Sequence, residues 1–102
     1  MYVILWRFQT RTGMSRDFEE AYGAAGEWAR FFARGVGYLG TELHPDPTTS
    51  GRYVTIDRWE SKDAYERFRA ANRSEYDRID ARCEALTDDE TLIGRFDSAD
   101  SI

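Results

Sequence analysis

The chain holds one cysteine, Cys83, and one histidine, His44, among 102 residues. A single cysteine excludes an internal disulfide and any cysteine-based metal cluster, and it fits a reduced, cytoplasmic setting. There is no excess of positive charge: 14 Lys and Arg stand against 19 Asp and Glu, interspersed, for a net charge of −5. No basic stripe is present, which argues against a nucleic-acid partner. No run approaches the roughly 18 apolar residues a membrane span needs, so no membrane association is expected. The apolar start MYVILWRF is too short for a signal peptide; Arg7 interrupts it and no small-residue cleavage site follows.

The chain is rich in aromatic residues, with six Phe, six Tyr and three Trp. A single domain of this size buries only about two-thirds of its unfolded surface. Some rings are therefore expected at a ligand cavity or a subunit interface.

Residues 2–9 (YVILWRFQ) read as a strand that is apolar on both faces, and such a strand is covered on both sides. Residues 15–34 read as one helix, with Ser15 as N-cap and acids in its first turn. Its expected buried stripe is Phe18, Tyr22, Ala25, Ala29 and Phe32. Gly23 and Gly26 lie inside it and each costs about 1 kcal/mol against alanine. Residues 36–44 read as a second strand, and PDPTTSG at 45–51 as a turn. Residues 52–60 alternate as a third strand. Residues 61–71 and 75–86 read as helical, with Ala64, Phe68 and Ala71, then Tyr76, Ile79, Cys83 and Leu86, on their inner faces. Asp88, Asp89 and Glu90 read as a solvated turn before a last strand at 91–96.

The order predicts an α+β fold: a ferredoxin-like split βαβ, with a four-stranded antiparallel sheet and helices on one face. The domain is expected over 1–97, with a polar tail at 98–102. The doubly apolar first strand implies that the uncovered sheet face meets a second copy, giving a dimeric α+β barrel. Val54 and Ile56 are expected under the helices. Tyr53, Thr55, Asp57 and Trp59 would then face the space between two sheets, with Tyr38, Glu42 and His44 added from the second strand and Arg7 or Arg95 beside them. Such a lining suits a small molecule; the alternative is a dimer interface with a polar rim. Asp57, desolvated beside Trp59, is a candidate base, or else a surface partner of Arg58 or Arg52. His44 is a candidate ligand group or a solvated strand end. Cys83 fits a buried structural thiol.

The stretches GYLGTELHPDP (37–47) and YVTIDRWESKDAYERF (53–68) make the chain resemble the antibiotic biosynthesis monooxygenase family of dimeric α+β barrel proteins. Its recurrent feature is a strand that ends in Trp-x-Ser and runs into a helix. The resemblance implies cofactor-independent oxygenation of a phenolic or anthrone-like aromatic by O2, with neither metal nor flavin. It places the family's pocket Trp on Trp59 and a site Tyr on Tyr65. A family Asn falls on Thr55, and a helix Arg falls loosely on Arg78 or Arg82. Haem degradation, found on the same barrel with a helix His and a first-strand Asn, is not implied: no His follows His44, and position 7 is Arg. The remaining alternatives are another small-molecule enzyme of this barrel, such as an isomerase or cyclase, and a non-catalytic ligand-binding or interaction dimer.

Overall fold

Along Tyr2–Thr10 (β1) burial follows the pleat: Tyr2, Ile4, Phe8 and Thr10 are covered while Arg7 is exposed. This is the first strand of a computed structural model that describes residues 1–99. Then come α1 (Ser15–Tyr22), α2 (Glu27–Phe32), β2 (Tyr38–Pro45), β3 (Arg52–Trp59), α3 (Lys62–Ala71), α4 (Arg73–Cys83) and β4 (Thr87–Asp97). A 3-10 turn at Glu84–Leu86 joins the last two. The strands form one antiparallel sheet in the order β2-β3-β1-β4. With the helices on one face, this is the expected ferredoxin-like α+β fold. Of the expected tail, residues 100–102 lie outside the described residues.

The expected single helix over 15–34 is two. α1 ends at Gly23 and α2 starts after Gly26. A Cβ at Gly23 or Gly26 would sit 2.7 or 2.6 Å from the carbonyl oxygen of Glu19 or Glu20. The glycines let the chain turn back on itself there. The turn carries Trp28 and Phe31 into the core, and Ala25, expected to be buried, is exposed. Ser15 is the first residue of α1 rather than its cap; its hydroxyl lies 3.3 Å from the Thr10 hydroxyl. α3 does begin as the sequence suggests: the Ser61 hydroxyl accepts from the Ala64 N–H at 3.0 Å. β4 starts earlier than expected, so Asp88, Asp89 and Glu90 are strand residues.

One aromatic core lies between the sheet and the helices. Phe18, Tyr22, Trp28, Phe32 and Phe68 from the helices meet Tyr2, Phe8, Tyr53 and Trp59 from the sheet. Phe18 and Tyr22 stack with centroids 4.4 Å apart, and Phe31 meets Phe68 edge-on at 4.9 Å. The strand faces are therefore the reverse of the expectation. Tyr53, Thr55, Asp57 and Trp59 point under the helices, while Val54, Ile56 and Arg58 point to the open face. The helices supply most of the rings in this core, and burying ring against ring removes more apolar area than burying Val and Ile there.

The open face carries Val3 and Leu5 of β1 and Val54 and Ile56 of β3, all half-buried, with Phe96 of β4 52% exposed beside them. Arg7, Glu42 and His44 lie on this face too. Glu42 pairs with Arg58, and the His44 ring lies 3.0 Å from the same carboxylate.

Candidate functional site

A cavity of about 150 Å³ opens between the sheet and the helices. It does not lie on the open face where a space between two sheets was expected. Trp6 and Phe8 of β1 form its floor, with Thr55 and Asp57 of β3 and Thr41 of β2. Tyr22 of α1, Trp28 and Phe32 of α2, and Tyr76 and Asp80 of α4 close it from above. Glu90 of β4 stands at one edge.

β2 reaches this site through a bulge. Its pairing with β3 shifts between Tyr38 and Gly40, and Gly40 takes φ +140°, open to glycine at no steric cost. The shift breaks the parity of β2. Tyr38 stays on the helix side and is joined there by Thr41, while Glu42 and His44 turn to the open face. The expected grouping of Tyr38, Glu42 and His44 on one face therefore does not form. Thr41, which the sequence did not single out, takes its place.

The consequence is a relay of hydroxyls ending on a carboxylate. The Tyr38 hydroxyl lies 2.5 Å from Thr41 Oγ1, which donates to Asp57 Oδ1 at 2.6 Å. With the Thr41 hydrogen committed to Asp57, Tyr38 is left as the donor to Thr41. Asp57 is partly accessible, and it lines the cavity. None of the ion pairs among the described residues involves it. Its sequence-level partners, Arg52 and Arg58, lie on the opposite face of β3. Burial raises the Asp57 pKa to about 6 against an ordinary 3.8, opposed only by the Thr41 hydrogen bond.

The other titratable walls shift upward as well. Desolvation raises the Tyr22 hydroxyl, and raises Tyr76 to about 12. The Arg69 guanidinium stacks 3.6 Å over the Tyr76 ring and opposes part of that rise. Burial raises Asp80 and Glu90, and neighbouring carboxylates, among them Glu84, raise both further, while the Arg69 guanidinium draws Asp80 part of the way back. Among the described residues, no three His, Cys, Asp or Glu side chains gather so as to hold a metal ion.

The remaining expected site residues fall elsewhere. Trp59 is 0% exposed, wedged edge-on against Phe32, Tyr38 and Tyr65 at 5.3–5.8 Å. It packs behind the cavity and does not line it. Tyr65 stacks beside Trp59 and accepts a hydrogen bond from Arg69 at 2.9 Å. Tyr53 is buried against Phe18 and donates to Glu19 at 2.5 Å. Arg7 and His44 are on the wrong side of the sheet to reach the cavity, because the odd positions of β1 and the even positions of β2 after the bulge face away from the helices. Thr55 and Asp57 line the cavity, on the other face of β3 from the one expected.

The family model for antibiotic biosynthesis monooxygenases matches residues 1–75. The chain belongs to the antibiotic biosynthesis monooxygenase family. Among solved structures it is similar to SnoaB, a cofactor-independent oxygenase from Streptomyces nogalater, crystallised as a mutant. The two share 25% identity over 96% of this chain and 92% of that one, with a TM-score of 0.76. It also resembles PA3566 from Pseudomonas aeruginosa at 20% identity over 95% and 92% of the two chains, with a TM-score of 0.67. A third likeness is to a MhuD mutant with two manganese protoporphyrin IX bound per active site, at 18% identity over 97% and 95%, with a TM-score of 0.69. The last two share the fold. No curated protein matches the chain in sequence.

Family membership covers all of β1 to α3 and stops at the start of α4. Thr41, Thr55 and Asp57 therefore lie within the matched part, while Tyr76, Asp80 and Glu90 lie beyond it.

Proposed function

We propose that this protein is a cofactor-independent monooxygenase that oxygenates a small phenolic or quinol-like aromatic with O2, and that Asp57 is its base. The observation that carries the reading is the Asp57 carboxylate at the wall of an aromatic cavity, held by Thr41 and without a cation. The SnoaB likeness supports the reaction class.

The chemistry follows from what the cavity offers. A phenol bound among Trp6, Phe8 and Phe32 presents its hydroxyl to Asp57. A carboxylate with a pKa near 6 is ionised at neutral pH yet holds a proton better than an ordinary Asp. It takes the phenolic proton. The electron-rich phenolate transfers one electron to O2, and the phenoxyl radical and superoxide combine at a ring carbon. Loss of water from the resulting hydroperoxide leaves a quinone. One oxygen atom stays in the product and the other leaves as water, so phenol and O2 balance against quinone and water. The chain's part is to orient the ring, exclude water and move a proton. Tyr38 acts through Thr41, whose hydroxyl can hold the ionised carboxylate. Thr55 lines the substrate site. Trp59 and Tyr65 fix the wall behind it.

The working form in this proposal is a cytoplasmic homodimer of the domain 1–97. Val3, Leu5, Val54, Ile56 and Phe96 make an apolar sheet face that suits the same face of a second copy. No helix among the described residues is long and apolar enough to cross a membrane.

The test is oxygen consumption by metal-stripped protein, without added cofactor, against hydroquinones, naphthols and anthrones. Turnover that falls at least a hundredfold in Asp57→Asn, and much less in Tyr65→Phe, is the expected result. Turnover unchanged in Asp57→Asn overturns Asp57 as the base.

A further inference from the structure

The same cavity constrains the size and charge of what enters it. About 150 Å³ accommodates one benzene-sized ring and little more. Its polar ends are set apart. Asp57 pairs with Ile4 and Glu90 with Phe8, on opposite sides of β1. Two strand spacings of about 4.8 Å and four residues of about 3.3 Å put the two backbone positions about 16 Å apart. At the far end Asp80 and Glu90 both line the cavity, and no Arg, Lys or His lines it anywhere. The Trp28 ring, 6% exposed, lines the same cavity.

We propose that the cavity selects a single-ring phenol carrying no negative charge, and holds best one whose short arm ends in an ammonium group, with Asp80 and Glu90 as counter-charges. The inference rests on the reading of this cavity as a phenol site. An anionic arm would stand against two carboxylates in a partly dehydrated space and is repelled. A fused three-ring phenol would have to project from the mouth of the cavity.

The test is binding, read by quenching of tryptophan fluorescence under argon, so that no turnover intervenes. The probes are 4-(2-aminoethyl)phenol, 4-ethylphenol, 4-hydroxyphenylacetate and anthrone. The amine is expected to bind about five- to tenfold tighter than 4-ethylphenol, and the carboxylate at least tenfold weaker. The double variant Asp80→Asn, Glu90→Gln should bring the amine to the level of 4-ethylphenol, with Tm measured to confirm folding. Equal binding of amine and carboxylate, tighter binding of anthrone, or an amine preference that survives the double variant overturns the proposal. If the ranking holds but no phenol drives oxygen uptake, the oxygenase reading fails and this one stands. If uptake occurs without the ranking, the reverse is true. If none of the four binds, both fail.

Discussion

Replacing Asp57 by Asn should make the protein more stable and less active, and both effects come from the same burial. In the folded chain the carboxyl holds its proton up to about pH 6, against 3.8 ordinarily. That interval corresponds to about 3 kcal/mol at about 1.4 kcal/mol per pH unit. The sign follows from the direction of the shift. Below about pH 4 the group is neutral folded or unfolded, and its burial costs no ionisation energy. Between about pH 4 and 6 the unfolded chain ionises first, so stability falls as pH rises. Above about pH 6 both states are ionised and the cost is constant. An Asn side chain is neutral throughout and can still accept from Thr41, but its N–H groups need an acceptor of their own. The net gain at pH 7 is therefore about 1–3 kcal/mol. Urea unfolding of wild type and Asp57→Asn at pH 4, 5, 6 and 7 measures it. The variant should lead at pH 7, and its advantage should shrink by pH 4. A difference that stays constant from pH 4 to 7 would refute the reasoning, because it would mean that Asp57 is not ionised against its environment. The activity arm runs the other way. Oxygen uptake by wild type should rise through about pH 6 as Asp57 ionises, and the variant should lack both the rate and the rise.

Three other substitutions probe the frame around the cavity. Trp59→Ala empties a fully buried site among Phe32, Tyr65 and Phe68 and should cost about 3–5 kcal/mol in urea unfolding; a loss below about 1 kcal/mol would show that Trp59 faces open space. Gly35→Ala would place a Cβ 2.6 Å from Phe68 Cδ1 and 2.9 Å from Trp59 Cη2, so it should cost about 1–3 kcal/mol by the same assay. A neutral result there would mean that the two rings yield freely. Ile56→Glu puts a charge at the centre of the open sheet face. Wild type should sediment at twice its 11.8 kDa chain mass and the variant at one; a monomeric wild type would remove the dimer from the proposal.

The fold was legible because its signals are local. An apolar run of β-formers marked β1, period-two alternation marked β3, and Ser61 marked the start of α3. The Gly23 and Gly26 pair carried a legible break that the helical stripe outweighed, so Trp28 and Phe31 were missed as core. Which face of β3 lies under the helices was not legible. Alternation separates Tyr53, Thr55, Asp57 and Trp59 from Val54, Ile56 and Arg58, but both sets are apolar enough to be covered. Only the ring-rich helices, which meet the strand in three dimensions, decide between them. The β2 parity had a weaker signal still. A one-residue bulge exchanges every later side chain between faces, and Gly40 in GYLGTELH was its sole trace. The exchange brought Thr41 to Asp57 and sent His44 away.

The acidic run at 88–90 shows how one local pattern serves two ends. Three acids in a row resemble a turn because charge is rare inside sheets. β4, however, is an edge strand with no neighbour on its outer side, and charge on an edge strand discourages pairing with a strand of another chain. Once the run is a strand, the pleat divides it. Asp89, opposite Gln9, falls on the open face. Glu90, opposite Phe8, falls on the helix face and reaches the cavity. The run that protects the edge thereby supplies a carboxylate to the site. That carboxylate can matter for binding only if the strand keeps its register with β1: a one-residue slip would exchange Asp89 and Glu90 between faces.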